Sequence, residues 1–409
     1  MTRYQLRRVF AACVLVGLAA AIAVGGYFGG RALFGPNESS EPAPAPAPAP
    51  QITLRKPEPQ AAQDLGFPGF ATKDTTRVGG ADAAADAAGA ALAVYPSSGG
   101  VRGPDAVSLV PSSKWQVGIA AASLVAPPVG APILISDTSA VPQATTDALR
   151  TLVPSGSKVT EGRQLFTFGA ASAPSGLKTL SFGGSDPAAL AAQIARLRQK
   201  LVNAPPKAVV VTSSTDPAYA MPAAAWAARS GDPVLFAGRG APPAPTLRQL
   251  HRNPGIPVYV LGPPNAVSDR AFRLISKVAP GAKRITASDP VAASVAFARY
   301  SAGGFGWDIN DPGHGFVVAN SSRPLDAAAA AVLSASGTWG PLLVTTSSTS
   351  PPAALRDYLL DLKPGYKNDP TRAVYNHVWV IGNTTAISVG FQAQLDDLAE
   401  AAKIGSVRR

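Results

Sequence analysis

One block of about 100 residues recurs three times along this chain in the same internal order, and a period of that size constrains the fold more than any single motif. Each block has an Asp-started helix, a short apolar strand, a second helix, a Pro-led apolar strand, a third helix and an apolar strand ending in Gly. The helix starts are Gly80-Ala81-Asp82-Ala83, Gly184-Ser185-Asp186-Pro187 and Ala287-Ser288-Asp289-Pro290. Each Asp can cap the free N–H groups of a first turn, and Pro187 and Pro290 suit the position after the cap. The first strands lie around Val107, Val209 and Val317. The Pro-led strands are Pro132-Ile133-Leu134-Ile135, Pro233-Val234-Leu235-Phe236 and Pro341-Leu342-Leu343-Val344. The last strands end at Gly169, Gly262 and Gly382.

These strands are apolar throughout rather than alternating. Strands of a parallel sheet read this way when helices cover both faces. Ala-rich segments of helical length separate them, so the pattern predicts right-handed crossovers and an open, doubly wound α/β sheet in each block. Ala, Gly and Pro are abundant, which reads mainly as genomic base composition.

With 409 residues there is room for about three domains. The apolar fraction of 46% against 15% charged residues supplies a substantial core. The single Cys13 lies in the N-terminal segment, so the folded part holds no disulfide. That segment has basic residues 1–8 (Arg3, Arg7, Arg8) followed by an apolar run starting at Val9. We take residues 9–34 as a transmembrane signal anchor, with basic residues kept on the cytoplasmic side. The other reading is a cleaved signal peptide with its small-residue site at Leu18-Ala19-Ala20-Ala21. Either one places the remainder outside the cytoplasm. Residues 36–76, with the Pro-Ala alternation of Pro42–Pro50, read as an extended linker rising ~3.1 Å per residue where polyproline-like. The blocks then span 77–178, 179–282 and 283–404. Residues 77–409 hold 29 basic and 20 acidic side chains, a net of +9 that favours an anionic partner; outside a bacterial membrane that means wall polymers or lipid headgroups rather than nucleic acid.

The residues resemble the type 2 cell-wall-binding repeat family of exported Gram-positive proteins. The Pro-led strands are similar to its Pro-Ile-Leu-Leu element. Val260-Leu261-Gly262-Pro263-Pro264-Asn265-Ala266-Val267-Ser268 matches its Gly-Gly-Pro-Asn-Ala-Val-Ser element, and Ile381-Gly382-Asn383-Thr384-Thr385-Ala386-Ile387-Ser388 is a looser copy. The openings Arg77-Val78-Gly79-Gly80-Ala81-Asp82 and Phe182-Gly183-Gly184-Ser185-Asp186 match its Arg-led opening in part. The first block has lost the Gly-Gly-Pro element and reads Phe168-Gly169-Ala170-Ala171-Ser172. The resemblance implies three Rossmann-like or flavodoxin-like units in a pseudo-threefold arrangement within one, monomeric chain. It also implies non-covalent attachment to an anionic wall polymer or peptidoglycan, without catalysis and without a cofactor. Loops beside the Pro-led strands would then face the clefts between repeats. The binding residues it points to are Pro132, Ile133, Leu134, Pro233, Val234, Leu235, Pro341, Leu342 and Leu343, with the nearby cations Arg102, Lys114, Arg229, Arg239 and Arg323.

Other functions find less support. His251, His314 and His377 have no metal-site spacing, although Asp308, Asp311 and His314 can be drawn as a ligand set. There is no nucleophile elbow, no phosphate loop and no dinucleotide fingerprint. Ser213-Ser214-Thr215-Asp216 and Ser321-Ser322-Arg323 follow first strands, where turn chemistry and a sugar or phosphate site account for them equally. An exported solute-binding or enzyme-like protein, and a structural envelope scaffold, remain the two alternatives to wall binding.

Overall fold

Proline sets the edges of the sheets. Pro132, Pro233 and Pro341 have no N–H to donate, and each stands at the start of an edge strand, where the missing donor is tolerated. Their carbonyls accept from the neighbouring first strand in all three cases, from Ser108 N at 2.9 Å, Val210 N at 3.0 Å and Val317 N at 3.0 Å. The computed structural model describes residues 70–96, 103–335 and 340–404.

The chain begins with the antiparallel hairpin β1 (Phe70–Ala71) and β2 (Thr75–Val78). It continues through α1 (Ala83–Val94), β3 (Val107–Pro111), α2 (Trp115–Ala121), β4 (Ile133–Ser136), α3 (Gln143–Leu152) and β5 (Leu165–Phe168). A second stretch comprises β6 (Thr179–Phe182), α4 (Pro187–Val202), β7 (Val209–Ser213), α5 (Pro217–Ser230), β8 (Val234–Ala237), α6 (Ala244–His251), β9 (Val258–Leu261) and α7 (Asp269–Val278). The third comprises β10 (Lys283–Ile285), α8 (Pro290–Arg299), β11 (Gly315–Asn320), α9 (Leu325–Ala329), α10 (Ala331–Ala335), β12 (Leu342–Thr345) and α11 (Ala353–Asp361). It closes with β13 (Gly365–Tyr366), β14 (His377–Ile381), α12 (Val389–Ala399) and β15 (Ala402–Lys403).

The main strands form three parallel sheets of one order: β4-β3-β5-β6, β8-β7-β9-β10 and β12-β11-β14-β2. A Pro-led strand lies at one edge and the first strand lies inside, as the uniformly apolar pattern predicts. The fourth strand of the first and second sheets opens the following stretch. In the third sheet that place is taken by β2, from the start of the chain, paired in parallel with β14. Residues 70–76, the end of the segment read as a linker, therefore lie within or next to a sheet. The register also corrects the alignment of the first strands by one residue. Ser108, Val210 and Val317 pair with Ile133, Val234 and Leu342, so Phe316 rather than Val317 corresponds to Val107 and Val209.

The three aspartates cap as their positions suggest. Asp82 accepts from Ala84 N and Ala85 N at 2.9 Å, Asp186 from Ala188 N at 3.0 Å and Asp289 from Ala292 N at 2.9 Å. The third strands end on Gly169, Gly262 and Gly382, with φ of 65°, 115° and 96°. A side chain is strained in that left-handed region, which explains the glycine that closes each block. Their amides donate to equivalent carbonyls of the fourth strands: Phe182 O at 2.8 Å, Ile285 O at 3.0 Å and Val78 O at 3.0 Å.

The helices after the first strands, α2, α5 and α9, pack on one another. Their alanines are buried, and a Cβ added at Gly118 of α2 would lie 2.8 Å from the Ala328 Cβ of α9. Small residues let these backbones approach closely, so much of the alanine content serves packing rather than base composition alone. Among the described residues no helix is long and apolar enough to cross a membrane. The anchor expected at 9–34, the linker up to residue 69 and Arg102 lie outside the described residues.

Candidate functional site

A doubly wound sheet offers ligands the carboxyl ends of its strands, where loops gather and helices begin. After each first strand a serine amide donates to the end of the Pro-led strand: Ser112 N to Ser136 O at 3.0 Å, Ser214 N to Ala237 O at 2.7 Å and Ser321 N to Thr345 O at 2.8 Å. These bonds lay the loops of the first and Pro-led strands side by side. Ser213 Oγ accepts from Asp216 N at 2.9 Å, and Asn320 Oδ1 accepts from Ser322 N at 3.0 Å. The hydroxyl-rich tracts are thus engaged in turn chemistry, one of the two explanations their sequence allowed.

The second sheet shows what such an edge can hold. A cleft of about 500 Å³ lies there, walled by Ser214, Thr215, Asp216, Gly238 and Arg239. Arg239 is exposed, and its Nε donates to Asn265 O at 2.9 Å, tying the loop after β8 to the loop after β9. Asp216 stands at the N-cap of α5 and makes no side-chain capping bond, so its carboxylate is left to the cleft. Helix α2 of the preceding stretch abuts this wall: Gln116 Nε2 donates to Ser214 O at 3.0 Å, and Trp115 meets Phe236 edge-on at 6.0 Å. Lys114 is the N-cap residue of that helix and is half-buried. The cleft itself combines one cation, Arg239, with a carboxylate and hydroxyls, and helix α2 packs beside its wall. Such a lining suits sugar hydroxyls and acidic substituents through hydrogen bonds.

The third sheet's carboxyl edge is closed instead. Arg323 bonds Asp326 through Nε at 2.8 Å and also pairs with Asp86 of α1, while Gly80 N donates to Asp86 Oδ1 at 2.7 Å. Both aspartates are fully buried, and the Arg323 side chain is 22% exposed. Burial pushes the Asp86 carboxyl well above the usual carboxylate range, reinforced by Asp326, and burial raises Asp326 as well. Two buried carboxyls facing one guanidinium disfavour double ionisation, so the titration of the pair is pushed upward.

Arg77 of β2 and Arg284 of β10 occupy the same register position in their sheets. Arg77 is buried and donates to Gly382 O at 2.8 Å, Asn383 O at 3.1 Å, Ile387 O at 2.7 Å and Gln392 Oε1 at 2.9 Å. Arg284 donates to Gly262 O at 2.9 Å and Val267 O at 2.8 Å. The opening arginine thus holds the turn that follows the neighbouring third strand.

The residues singled out in the sequence separate into groups. Ile133, Leu134, Val234, Leu235, Leu342 and Leu343 are at most 2% exposed, and Pro132, Pro233 and Pro341 are buried beside them. Their side chains hold the sheets, which leaves ligand contact to the loops. Lys114, Arg239 and Arg323 follow strands at carboxyl edges, Arg323 being bound up in its ion pairs. Arg229 lies at the opposite edge, in the last turn of α5. Sequence reasoning missed Asp86 and Asp326, because nothing in the sequence links α9 to α1. Among the described residues no group of three or more His, Cys, Asp and Glu side chains is placed to hold a metal ion.

Parallel sheets with crossing helices, one of them bearing a cleft of polar loops at its carboxyl edge, define the α/β class of fold. Residues 182–272, the stretch from β6 into α7 that carries this cleft, match the family model described as Cell wall binding domain 2 (CWB2). The chain is also similar in fold to Cwp8 from Clostridium difficile, at a TM-score of 0.61 and 17% identity, over 80% of this chain and 52% of that one. Its similarity to Cwp6 from Clostridium difficile has a TM-score of 0.60 at 17% identity, over 80% of this chain and 47% of that one. The chain thus spans about half the length of each of these structures. No curated protein matches the sequence with significance.

Proposed function

We propose that this protein binds the cell wall non-covalently and does no catalysis. The three sheets of common order act as three modules in a pseudo-threefold arrangement around helices α2, α5 and α9. The carboxyl-edge loops at their junctions contact anionic wall polymers. The apolar, charge-free run from Val9 anchors the chain in the cytoplasmic membrane, and the Pro-Ala tract carries the folded part outward. The observation that carries this reading is the CWB2 match of residues 182–272, which includes both the Pro-led strand and the cleft beside Arg239. Residues 77–409 hold 29 basic and 20 acidic side chains, a net of +9, which adds a general attraction to polyanions.

Co-sedimentation of the detergent-solubilised full chain with purified cell walls tests it. The expected result is pelleting at low salt that falls several-fold as salt rises, because the attraction between exposed charges is screened. Pelleting should disappear when anionic polymers are stripped from the walls. Salt-independent failure to pellet, or hydrolysis of wall material by the purified chain, would overturn the proposal.

A further inference from the structure

The amino edge of the second sheet carries a cavity that the wall-binding reading does not use. Its volume is about 630 Å³, and it opens where β7, β8 and β9 begin. Its lining comes from the second stretch and from the segment joining α8 to β11. That segment covers residues 300–314, whereas the corresponding connection from α4 to β7 covers only 203–208. The additional chain folds back over the second sheet instead of looping into solvent.

Its shape is fixed by local chemistry. Ala302 and Phe305 exchange both backbone hydrogen bonds, at 2.9 and 3.1 Å, around Gly303 and Gly304. Both glycines have positive φ, 60° and 81°, as a tight hairpin turn of the primed type requires. A Cβ at Gly306 would lie 2.0 Å from the Tyr300 carbonyl oxygen, so only glycine fits there. The turn delivers Phe305 flat onto Tyr259, with ring centroids 3.6 Å apart and planes within 2°. Trp226 lies against Phe305 at 4.8 Å and against Trp307 at 5.6 Å. Trp226 is itself locked, since its Nε1 donates to Asp232 Oδ2 at 2.9 Å while Ala208 N donates to Oδ1 at 3.0 Å.

The cavity therefore has a preorganised aromatic floor, with Trp307 the half-buried ring at its rim. Lys207 and Arg229 also line it, and both are exposed. Trp226, Tyr259 and Phe305 are buried against one another, so the ring open to a ligand is Trp307, which suits the C–H face of a sugar through dispersion and apolar burial. The two cations suit an acidic substituent. Helix α5 ends at this edge, and its C-terminal dipole disfavours negative charge deep in the cavity. The neutral ring accordingly belongs against Trp307 and the acidic group beside Lys207 and Arg229.

We propose that this cavity binds a saccharide unit bearing one acidic group, separately from the carboxyl-edge cleft. The ligand would be a sugar phosphate or a uronic acid, one ring deep. His314 also lines the cavity, and its Nε2 lies 3.2 Å from Asp311 Oδ1, so it is partnered from within its own segment.

Titration of the full chain in detergent, followed by tryptophan fluorescence, tests the proposal. The probes are N-acetylglucosamine 1-phosphate, glucuronic acid, N-acetylglucosamine and inorganic phosphate. Saturable quenching is expected with the first two, with at least tenfold weaker binding of the neutral sugar and of phosphate alone. Lys207→Glu, at an exposed position that leaves the core untouched, should weaken the acidic probes at least tenfold and leave the neutral sugar unchanged. Trp307→Ala should weaken both kinds, whereas Arg239→Glu at the opposite edge should weaken neither. Absence of saturable binding by both acidic probes overturns the proposal, as does acidic-probe binding that Lys207→Glu and Trp307→Ala both leave intact. Wall pelleting of the same preparations keeps the two proposals distinct, since pelleting without sugar binding rejects only this one.

Discussion

The turns after β9 and β5 occupy equivalent places in neighbouring sheets and are built differently. After β9 the chain makes the compact turn Gly262–Ser268, Ser268 caps α7 through a 3.0 Å bond from Ala271 N, and Arg284 pins the turn's carbonyls. The third sheet repeats this plan with Ser388, which accepts from Phe391 N at 3.1 Å, and with Arg77. After β5 there is no helix before β6, and the position of Arg77 and Arg284 is filled by Ser181. Turn, helix and arginine are lost together. This teaches that the opening arginine of the repeat is architectural: it is present where a turn offers it carbonyls and absent where none does.

Removing that arginine should have the largest effect. Arg77 is 3% exposed, and burial pulls its guanidinium down to about 10, so it remains charged at neutral pH. Arg77→Ala removes the donor to three turn carbonyls, Gly382 O, Asn383 O and Ile387 O, and to Gln392 Oε1 of α12, each lost bond costing about 1–3 kcal/mol before relaxation. The expected loss is on the order of 4 kcal/mol, measured by urea unfolding of the full chain. The same change at Arg284 should cost roughly half as much, because fewer acceptors depend on it and its side chain is 13% exposed. Equal losses at the two sites, or none at Arg77, would break the comparison.

The Asp86–Arg323–Asp326 triad supplies a second contrast, because among the described residues only the junction of α1 with the third sheet has it. Asp86 titrates well above its ordinary value when folded, so the folded state holds a proton that the unfolded chain releases. The stabilisation this proton provides is complete below the ordinary carboxylate value and is lost as pH rises through the raised folded one. Asp86→Asn keeps the size and a donor while removing the titration. Its melting temperature should therefore decline less than that of the parent chain between pH 4 and pH 8. Arg323→Ala, by contrast, leaves two buried carboxyls without their cation and should cost about 3 kcal/mol or more. Parallel pH profiles for the parent and Asp86→Asn would show that Asp86 is ionised in the fold.

Much of this architecture could be read from the chain because its determinants are local. The Asp caps, the Pro that marks an edge strand and the Gly that ends the third strand each act within a few residues of their position. The parallel sheets followed from strands that are apolar throughout. What escaped detection depends on partners far apart in sequence. β2 reads Thr75-Thr76-Arg77-Val78, without the apolar run that revealed the other strands, and its partner β14 lies at the far end of the chain. Asp86 and Arg323 are 237 positions apart, so Arg323 looked like a surface cation. The aromatic cavity was equally hidden, since Trp226, Tyr259 and Phe305 converge only when the 300–314 segment folds across the second sheet.

The smallest effect expected is also the sharpest probe of the comparison. Ser181→Arg would restore the arginine at the register position it holds in the other two sheets. If the residue stabilised by itself, through charge or packing, the first sheet should gain. If it acts only by satisfying the turn's carbonyls, nothing should be gained, because the loop between β5 and β6 follows a different course. There Ser172 N bonds Asp137 O at 3.0 Å, and Ser136 Oγ donates to Ser172 O at 2.7 Å. Residue 181 is exposed, so the new side chain can extend into water without being buried. The expected change in unfolding free energy is within about 0.5 kcal/mol of zero. A gain approaching the loss caused by Arg284→Ala would mean that the arginine carries its stabilisation independently of the turn.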